Sequence, residues 1–501
     1  MKRLVPRSGR DSSAVLRAAM VLALAVPAAK AQDTWDAVYL SGSKIGHVHT
    51  WVEKVSDKNH EYNRVRIDAE MRLKRGQDES VVKLMYGTIE TLDGQVLRLD
   101  TRTDAGGNQD IRVHGDVIGG RMKLSMKAGG QSVSQTIPWS PEIRGPYGPE
   151  QSMTKQPMKA GESRQIRVYI PELNKVCDQT LIAKSLEPTV LGDGSKRDLL
   201  RVDLTTEVDG KHRPEYDSRV FVDPKGQVLK SEQDIMGGMV YYRTSREAAL
   251  APAGSVRFNM IAETMVKVPR PISNPDQTRQ VRYRVTLKKQ DPSQVFPIDA
   301  RQSVKKEEGA TNSAIVEIRS VGPIDGTPIG GEISPQYLQP NALINSDDIR
   351  VRSLASEITR GIVDPWEKAR AINGWVYEKI RQKDFKVAFA SAADVARNLQ
   401  GDCSEHSVLA AAICRASGIP SRVVVGLIYV EDAGGFGYHM WDEVFVNSRW
   451  IAIDPSWNQT TVDAVHIKLS DSSLDGVAPF EAFLPVALVE GQLAIEPIEV
   501  R

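Results

Sequence analysis

Three residues of this 501-residue chain stand in an order that could do chemistry. Cys403 lies in Gly401-Asp402-Cys403-Ser404-Glu405-His406, His439 in Tyr438-His439-Met440-Trp441, and Asp454 directly before Pro455. A thiol attacks a carbonyl as its thiolate, and a neighbouring imidazole is the usual means of making one. An aspartate behind the imidazole sets its tautomer and orientation. The order Cys, His, Asp therefore points to acyl transfer at an amide or ester carbonyl.

The elements that would position these residues can be read from local signals. Asp402 followed three residues later by Glu405 is a capping-box pattern. It predicts a helix beginning at Cys403, with Val408, Leu409, Ala412 and Ile413 as its buried stripe and Gly418 and Pro420 as its stop. At a helix start, unpaired N–H groups and the helix dipole favour an anion, so this placement predicts a lowered thiol pKa. Three strands follow, over 422–430, 438–446 and 450–453. A turn at Asn447-Ser448 pairs Val446 with Arg449 and, counting outward, Trp441 with Asp454. That makes Asp454 a diagonal cross-strand neighbour of His439, within reach of an imidazole–carboxylate contact.

These blocks resemble the transglutaminase-like superfamily on a papain-like α+β core. The resemblance rests on Gly401-Asp402-Cys403, on Arg415-Ala416-Ser417-Gly418-Ile419-Pro420-Ser421-Arg422, on His439-Met440-Trp441-Asp442-Glu443-Val444 and on Trp450-Ile451-Ala452-Ile453-Asp454-Pro455. It covers roughly residues 350 to 460. It implies Cys403 as nucleophile, His439 as base, Asp454 as orienter, and a thioester intermediate on a peptide or protein substrate. The backbone N–H of Cys403 is the expected first oxyanion donor. Hydrolysis is the favoured outcome. Transfer to a lysine amine, which would cross-link proteins, and a non-catalytic binding role on the same scaffold remain alternatives. Such a mechanism needs no metal or organic cofactor, and no calcium-loop motif is visible.

Other residues admit a plainer reading beside a sharper one. Trp441 is a candidate wall of the site. Phe436 and Tyr438, in the glycine-rich stretch Gly434-Gly435-Phe436-Gly437-Tyr438, are either a substrate rim or an ordinary hairpin tip. Cys403-x-x-His406 offers only two local metal ligands, so His406 reads as a packing or surface residue. His47-x-His49 reads as β surface, and Cys414 reads as core.

Composition bounds the rest. With 41% hydrophobic and 26% charged residues, the chain reads as globular and long enough for several domains. Residues 1–31 read as a cleaved signal peptide: a basic leader, an apolar run from Ala18 to Ala29 too short to span a bilayer, and Ala29-Lys30-Ala31. Export to the periplasm or beyond follows as the expected location. Those residues hold six Lys or Arg and one acid, so the formal net charge of +1 becomes −4 without them. A mildly acidic exported chain is not expected to bind nucleic acid. Three cysteines in such a chain do not make a disulfide scaffold. Residues 32–250 read as antiparallel β structure, 276–345 as a small β domain and 346–501 as the catalytic domain. No transmembrane span is expected in the mature chain, and its oligomeric state is left open. The echo of Asp93-Gly94-Gln95-Val96-Leu97 in Lys225-Gly226-Gln227-Val228-Leu229 hints at a duplicated β unit.

Overall fold

The computed structural model describes residues 32–75, 78–104, 110–128, 131–252, 264–324, 333–381, 390–476 and 479–501. The leader at 1–31 lies outside the described residues. No helix among those described is long and apolar enough to cross a membrane.

Residues 32–244 form one antiparallel sheet of fifteen strands. The strand Gln32–Leu40 sits in its middle, paired on one side with Ser43–Asp57 and on the other with Met239–Thr244. From Gln32–Leu40 the strands run outward in chain order to Gln131–Pro138 on one side. On the other they run in reverse order to Ser163–Ile170. Sequential hairpins explain this order, and the two echoed segments are two of the turns. Gly94 N–H donates to Thr91 O and Gly226 N–H to Asp223 O, each at 2.9 Å, and both glycines have positive φ. Both turns press on the helix Gly148–Lys155: a Cβ on Gly226 would lie 2.1 Å from Met153 O.

The small β sheet orders its strands Gln302–Lys306, Ser313–Arg319, Gln280–Leu287 and Leu493–Val500. Its fourth strand is the C-terminal end of the chain, so 276–345 is completed from outside and 346–501 does not close on itself. Alternation in Val281, Tyr283, Val285 and Leu287 buries one face. That face shares a single core with Leu427, Tyr429, Phe436, Ile467 and Leu469 of the next sheet. Tyr283 donates to Ala464 O at 3.0 Å across the junction.

The third sheet holds Ser421–Val430, Gly435–Val446, Arg449–Ile453 and His466–Ser472, with Val266–Lys267 added at one edge. Against its other face pack the helices Ile349–Ile358, Pro365–Lys379, Ala392–Asn398 and Cys403–Ala416. Asp348, Asp364, Ser391 and Asp402 cap these helices with their side chains. The helix Cys403–Ala416 is the central one; every residue from Ser404 to Arg415 is buried. All three cysteines are free.

Candidate active site

The start of the helix Cys403–Ala416 is built by acids. Asp402 accepts from Ser404 N–H at 2.8 Å, and Glu405 Oε2 accepts from Asp402 N–H at 2.9 Å, completing the capping box. Glu405 Oε1 also takes the Ala390 N–H at 2.8 Å, which ties the preceding helix to this one. The returning Glu405 side chain leaves no room for a Cβ at position 401, where it would meet Glu405 Cβ at 2.3 Å; Gly401 also has a φ of +144°. Cys403 thus opens the helix, partly accessible, with the backbone N–H of Met440 beside its sulfur.

The expected lowering of the thiol pKa is reversed. Burial pushes the Cys403 thiol up, and the negative charges of Asp402, Glu405 and Asp454 add to the rise. The Met440 N–H opposes it without prevailing. Burial is the largest cause of the rise, and it favours the thiol over the thiolate.

His439 and Asp454 meet as the register implied. The turn residues Asn447 and Ser448 both have positive φ, Val446 pairs with Arg449, and Asp442 with Ile453. His439 Nε2 lies 2.6 Å from Asp454 Oδ2. Asp454 is wholly buried, and every bond on its carboxylate is one it accepts: Ser456 N–H at 2.7 Å and Trp457 N–H at 3.2 Å on Oδ1, His439 and His466 on Oδ2. Burial alone would raise its pKa, but the charges and hydrogen bonds of His439 and His466 hold it well below the usual carboxylate range. An ionised carboxylate only accepts, so Nε2 of His439 donates to Asp454 and Nδ1 is the nitrogen turned away from it.

His466 is the residue that sequence reasoning missed. Its Nε2 lies 3.1 Å from Asp454 Oδ2 and its Nδ1 2.7 Å from Asp463 Oδ1. Burial would lower its pKa, but the two flanking aspartates outweigh that and raise it. A signal was present in Asp463-Ala464-Val465-His466-Ile467-Lys468-Leu469, a strand-like run with an imidazole among apolar residues. Arg301 holds the start of this run by donating to Asp463 O at 2.6 Å.

The three auxiliary candidates fall elsewhere. Trp441 is fully buried, so it walls no open site; its ring lies under His439, 6.1 Å between centroids and nearly parallel, and edge-on to His466 at 5.3 Å. A Cβ on Gly426 would meet Trp441 Cη2 at 2.6 Å, which is why glycine stands opposite. Phe436 is also fully buried, edge-on to Tyr283 and Tyr429 in the core shared with the small sheet. Tyr438 packs against the same core with its hydroxyl buried. Gly434 closes the hairpin turn and Gly435 to Tyr438 begin its second strand, which fits the hairpin reading rather than the rim. Gly435 is needed because Val266 O would lie 2.7 Å from its Cβ.

A depression of about 500 Å³ is lined by His406, one turn along the helix from Cys403, and by Ser456 and Trp457, just after Asp454. His406 is itself buried and donates from Nδ1 to Asp402 O at 2.6 Å, a packing role. His439, Asp454 and His466 bring three potential metal-ligand atoms within 4.8 Å of one another. A cation there would have to displace the short hydrogen bonds that join them.

Residues 352–455 match the family model of the transglutaminase-like superfamily. Kyphoscoliosis peptidase of Homo sapiens is 25% identical over 134 residues, covering 23% of this chain and 19% of that protein. Its Mus musculus counterpart is 25% identical over 138 residues, covering 24% and 20%. The chain thus spans about a fifth of the length of these curated relatives. Among solved structures, a β-barrel-like protein from Brucella abortus is 13% identical, covering 42% of this chain and 96% of that one, with a TM-score of 0.30. The periplasmic domain of TgpA from Pseudomonas aeruginosa, bound to ethylmercury, is 14% identical, covering 36% and 92%, with a TM-score of 0.23. By its matched segment, 352–455, this chain carries a domain of the transglutaminase-like superfamily.

Proposed function

We propose that the chain is an exported thiol hydrolase that cleaves peptide or protein amides through Cys403, His439 and Asp454 on a papain-like α+β core. One observation carries the reading. Asp454 engages Nε2 of His439 and so leaves Nδ1 as the basic nitrogen, on the strand whose next residue, Met440, reaches the Cys403 sulfur.

Because the thiol rests protonated, the proton moves as attack begins. Nδ1 of His439 takes the proton from Cys403, and the sulfur bonds to the amide carbon. The carbonyl oxygen gains the negative charge and faces the Cys403 backbone N–H. As the C–N bond breaks, Nδ1 gives its proton to the departing amine, leaving a thioester. Nδ1 then takes a proton from water as that water attacks. The C–S bond breaks, and the sulfur recovers the proton. Asp454 stabilises the His439 imidazolium that forms twice in this cycle. Water as final acceptor makes the chain a hydrolase; a lysine amine would make it a cross-linker.

The test is incubation of the full chain with dimethylcasein and dansyl-cadaverine. New amino termini without dansyl incorporation support hydrolysis. Dansylated casein would instead establish transfer. Neither product, with casein bound equally by the wild type and Cys403→Ala, would leave a binding scaffold. The raised thiol pKa predicts alkylation that climbs with pH rather than persisting in acid.

A further inference from the structure

The large N-terminal sheet encloses a second space, of about 740 Å³. Its wall alternates along each strand, so that one face supplies Val48 and Thr50, Ile67 and Ala69, Val82 and Leu84. Leu204, Val220 and Val228 from the other half of the sheet line the same space, so the sheet curls around it. Volume and apolar lining match those of small-molecule sites rather than packing defects.

Four buried polar atoms on residues that line this space have no partner among the described residues: the hydroxyls of Tyr86, Tyr147 and Tyr216 and Oε1 of Gln179. Tyr86 is 8% exposed and Tyr147 is 4% exposed. A buried, unmade hydrogen bond is costly, so four on residues around one cavity favour a partner there. Glu172 enters the same space and is accessible there, with no cation paired to it among the described residues. The cavity's two arginines are already engaged: Arg243 by Asp36 and Glu150, and Arg102 by Asp110.

We propose that this cavity binds an uncharged amphipathic molecule with one aliphatic chain and a small hydroxyl, ester or amide head. A peptide is a poor occupant, because its N–H and C=O groups would outnumber the unpaired polar atoms. An anionic head would find both arginines taken, and burial draws Glu172 toward its neutral form, which weakens its hold on a cationic head. The aliphatic chain lies along the Val, Ile and Leu wall, and the head meets the tyrosine hydroxyls. This site is independent of Cys403.

Laurdan, an uncharged naphthalene with a lauroyl chain, serves as the probe on the full-length chain. The expected result is a saturable blue shift of its emission at one molecule per chain, reversed by monolaurin. Tyr86→Phe and Tyr147→Phe keep the shape of the wall and should each weaken binding about fivefold, the weight of one neutral hydrogen bond. Ala69→Trp fills the cavity and should abolish the shift, with circular dichroism confirming the fold. No shift in the wild type would overturn the proposal. So would binding that neither tyrosine variant changes, since the probe would then sit elsewhere. Tighter displacement by laurate than by monolaurin would overturn the uncharged head.

Discussion

Two buried polar regions of this molecule are finished to different degrees. Around Asp454 both carboxylate oxygens accept two bonds each, from Ser456 and Trp457 on one and from His439 and His466 on the other. On residues that line the N-terminal cavity four buried polar atoms have none among the described residues. A closed network locks one tautomer of one imidazole, as a base needs. An open set of donors and acceptors inside an apolar wall leaves its hydrogen bonds to a ligand. Under the two proposals made above, the Asp454 carboxylate and the cavity would serve chemistry and binding respectively, and they differ in how completely their own polar atoms are satisfied.

The sharpest test of that contrast lies at Asp454. Asp454→Asn keeps the volume but replaces one acceptor oxygen with a donor nitrogen, so His439 loses its tautomer control. Amide cleavage should fall about a thousand-fold or more, with the thiol still present to alkylating agents. A loss under tenfold would mean that Asp454 does not orient the base.

His466 comes next. Its raised pKa means the folded state favours the protonated ring, held between Asp454 and Asp463. The stability it contributes is complete below the ordinary histidine value of 6.5 and is lost as pH rises through its folded value. His466→Gln should therefore lower stability by about 3 kcal/mol at pH 5.5, with the deficit shrinking as pH rises. Urea melts across that range read it, and a deficit constant with pH would sink the assignment. Cleavage should fall about tenfold, because Asp454 keeps three of its four bonds.

The matching change in the other region should do the reverse. Tyr86→Phe removes a hydroxyl that makes no bond in the unliganded chain, so stability should stay level or rise by about 0.5 kcal/mol. A loss comparable to that at His466 would show that the cavity's polar atoms are already satisfied.

How far the sequence discloses each region follows from the range of the interactions. The capping box at Asp402 and Glu405 and the hairpin at Asn447-Ser448 are local, and they were enough to bring Asp454 to His439. The rim reading of Phe436 and Tyr438 arose because a Gly-x-Gly stretch signals a loop. Here glycine answers the close approach of Val266 instead, a contact from far upstream. Leu493–Val500 joins a strand more than 200 residues away, and no pattern announces such a partner. The cavity was hidden for a related reason: alternation shows that a strand has two faces, not which of them the curl encloses.

The contrast holds for the Asp454 carboxylate and not for its surroundings, where Trp441 Nε1, Ser456 Oγ and both Asp442 oxygens lack a partner among the described residues. Asp442 pairs with Ile453, on the opposite face of its strand from His439 and Trp441; it is fully buried, yet neither of its oxygens has a partner among the described residues. Burial, with the nearby charge of Asp454, drives its pKa well above the ordinary aspartate value of 3.8. The folded state thus keeps a proton that the unfolded chain releases above pH 3.8, and stability drains away as pH rises toward the folded value. Asp442→Asn has no proton to keep. Its stability relative to the wild type should be smallest near pH 4 and grow with pH, by at most about 1.4 kcal/mol per pH unit. Thermal melts at pH 4 and pH 7 read the difference. If the gap does not open between them, Asp442 is ionised in the fold, and the catalytic region tolerates an unpaired buried charge. Completeness of hydrogen bonding would then not be what distinguishes it from the cavity.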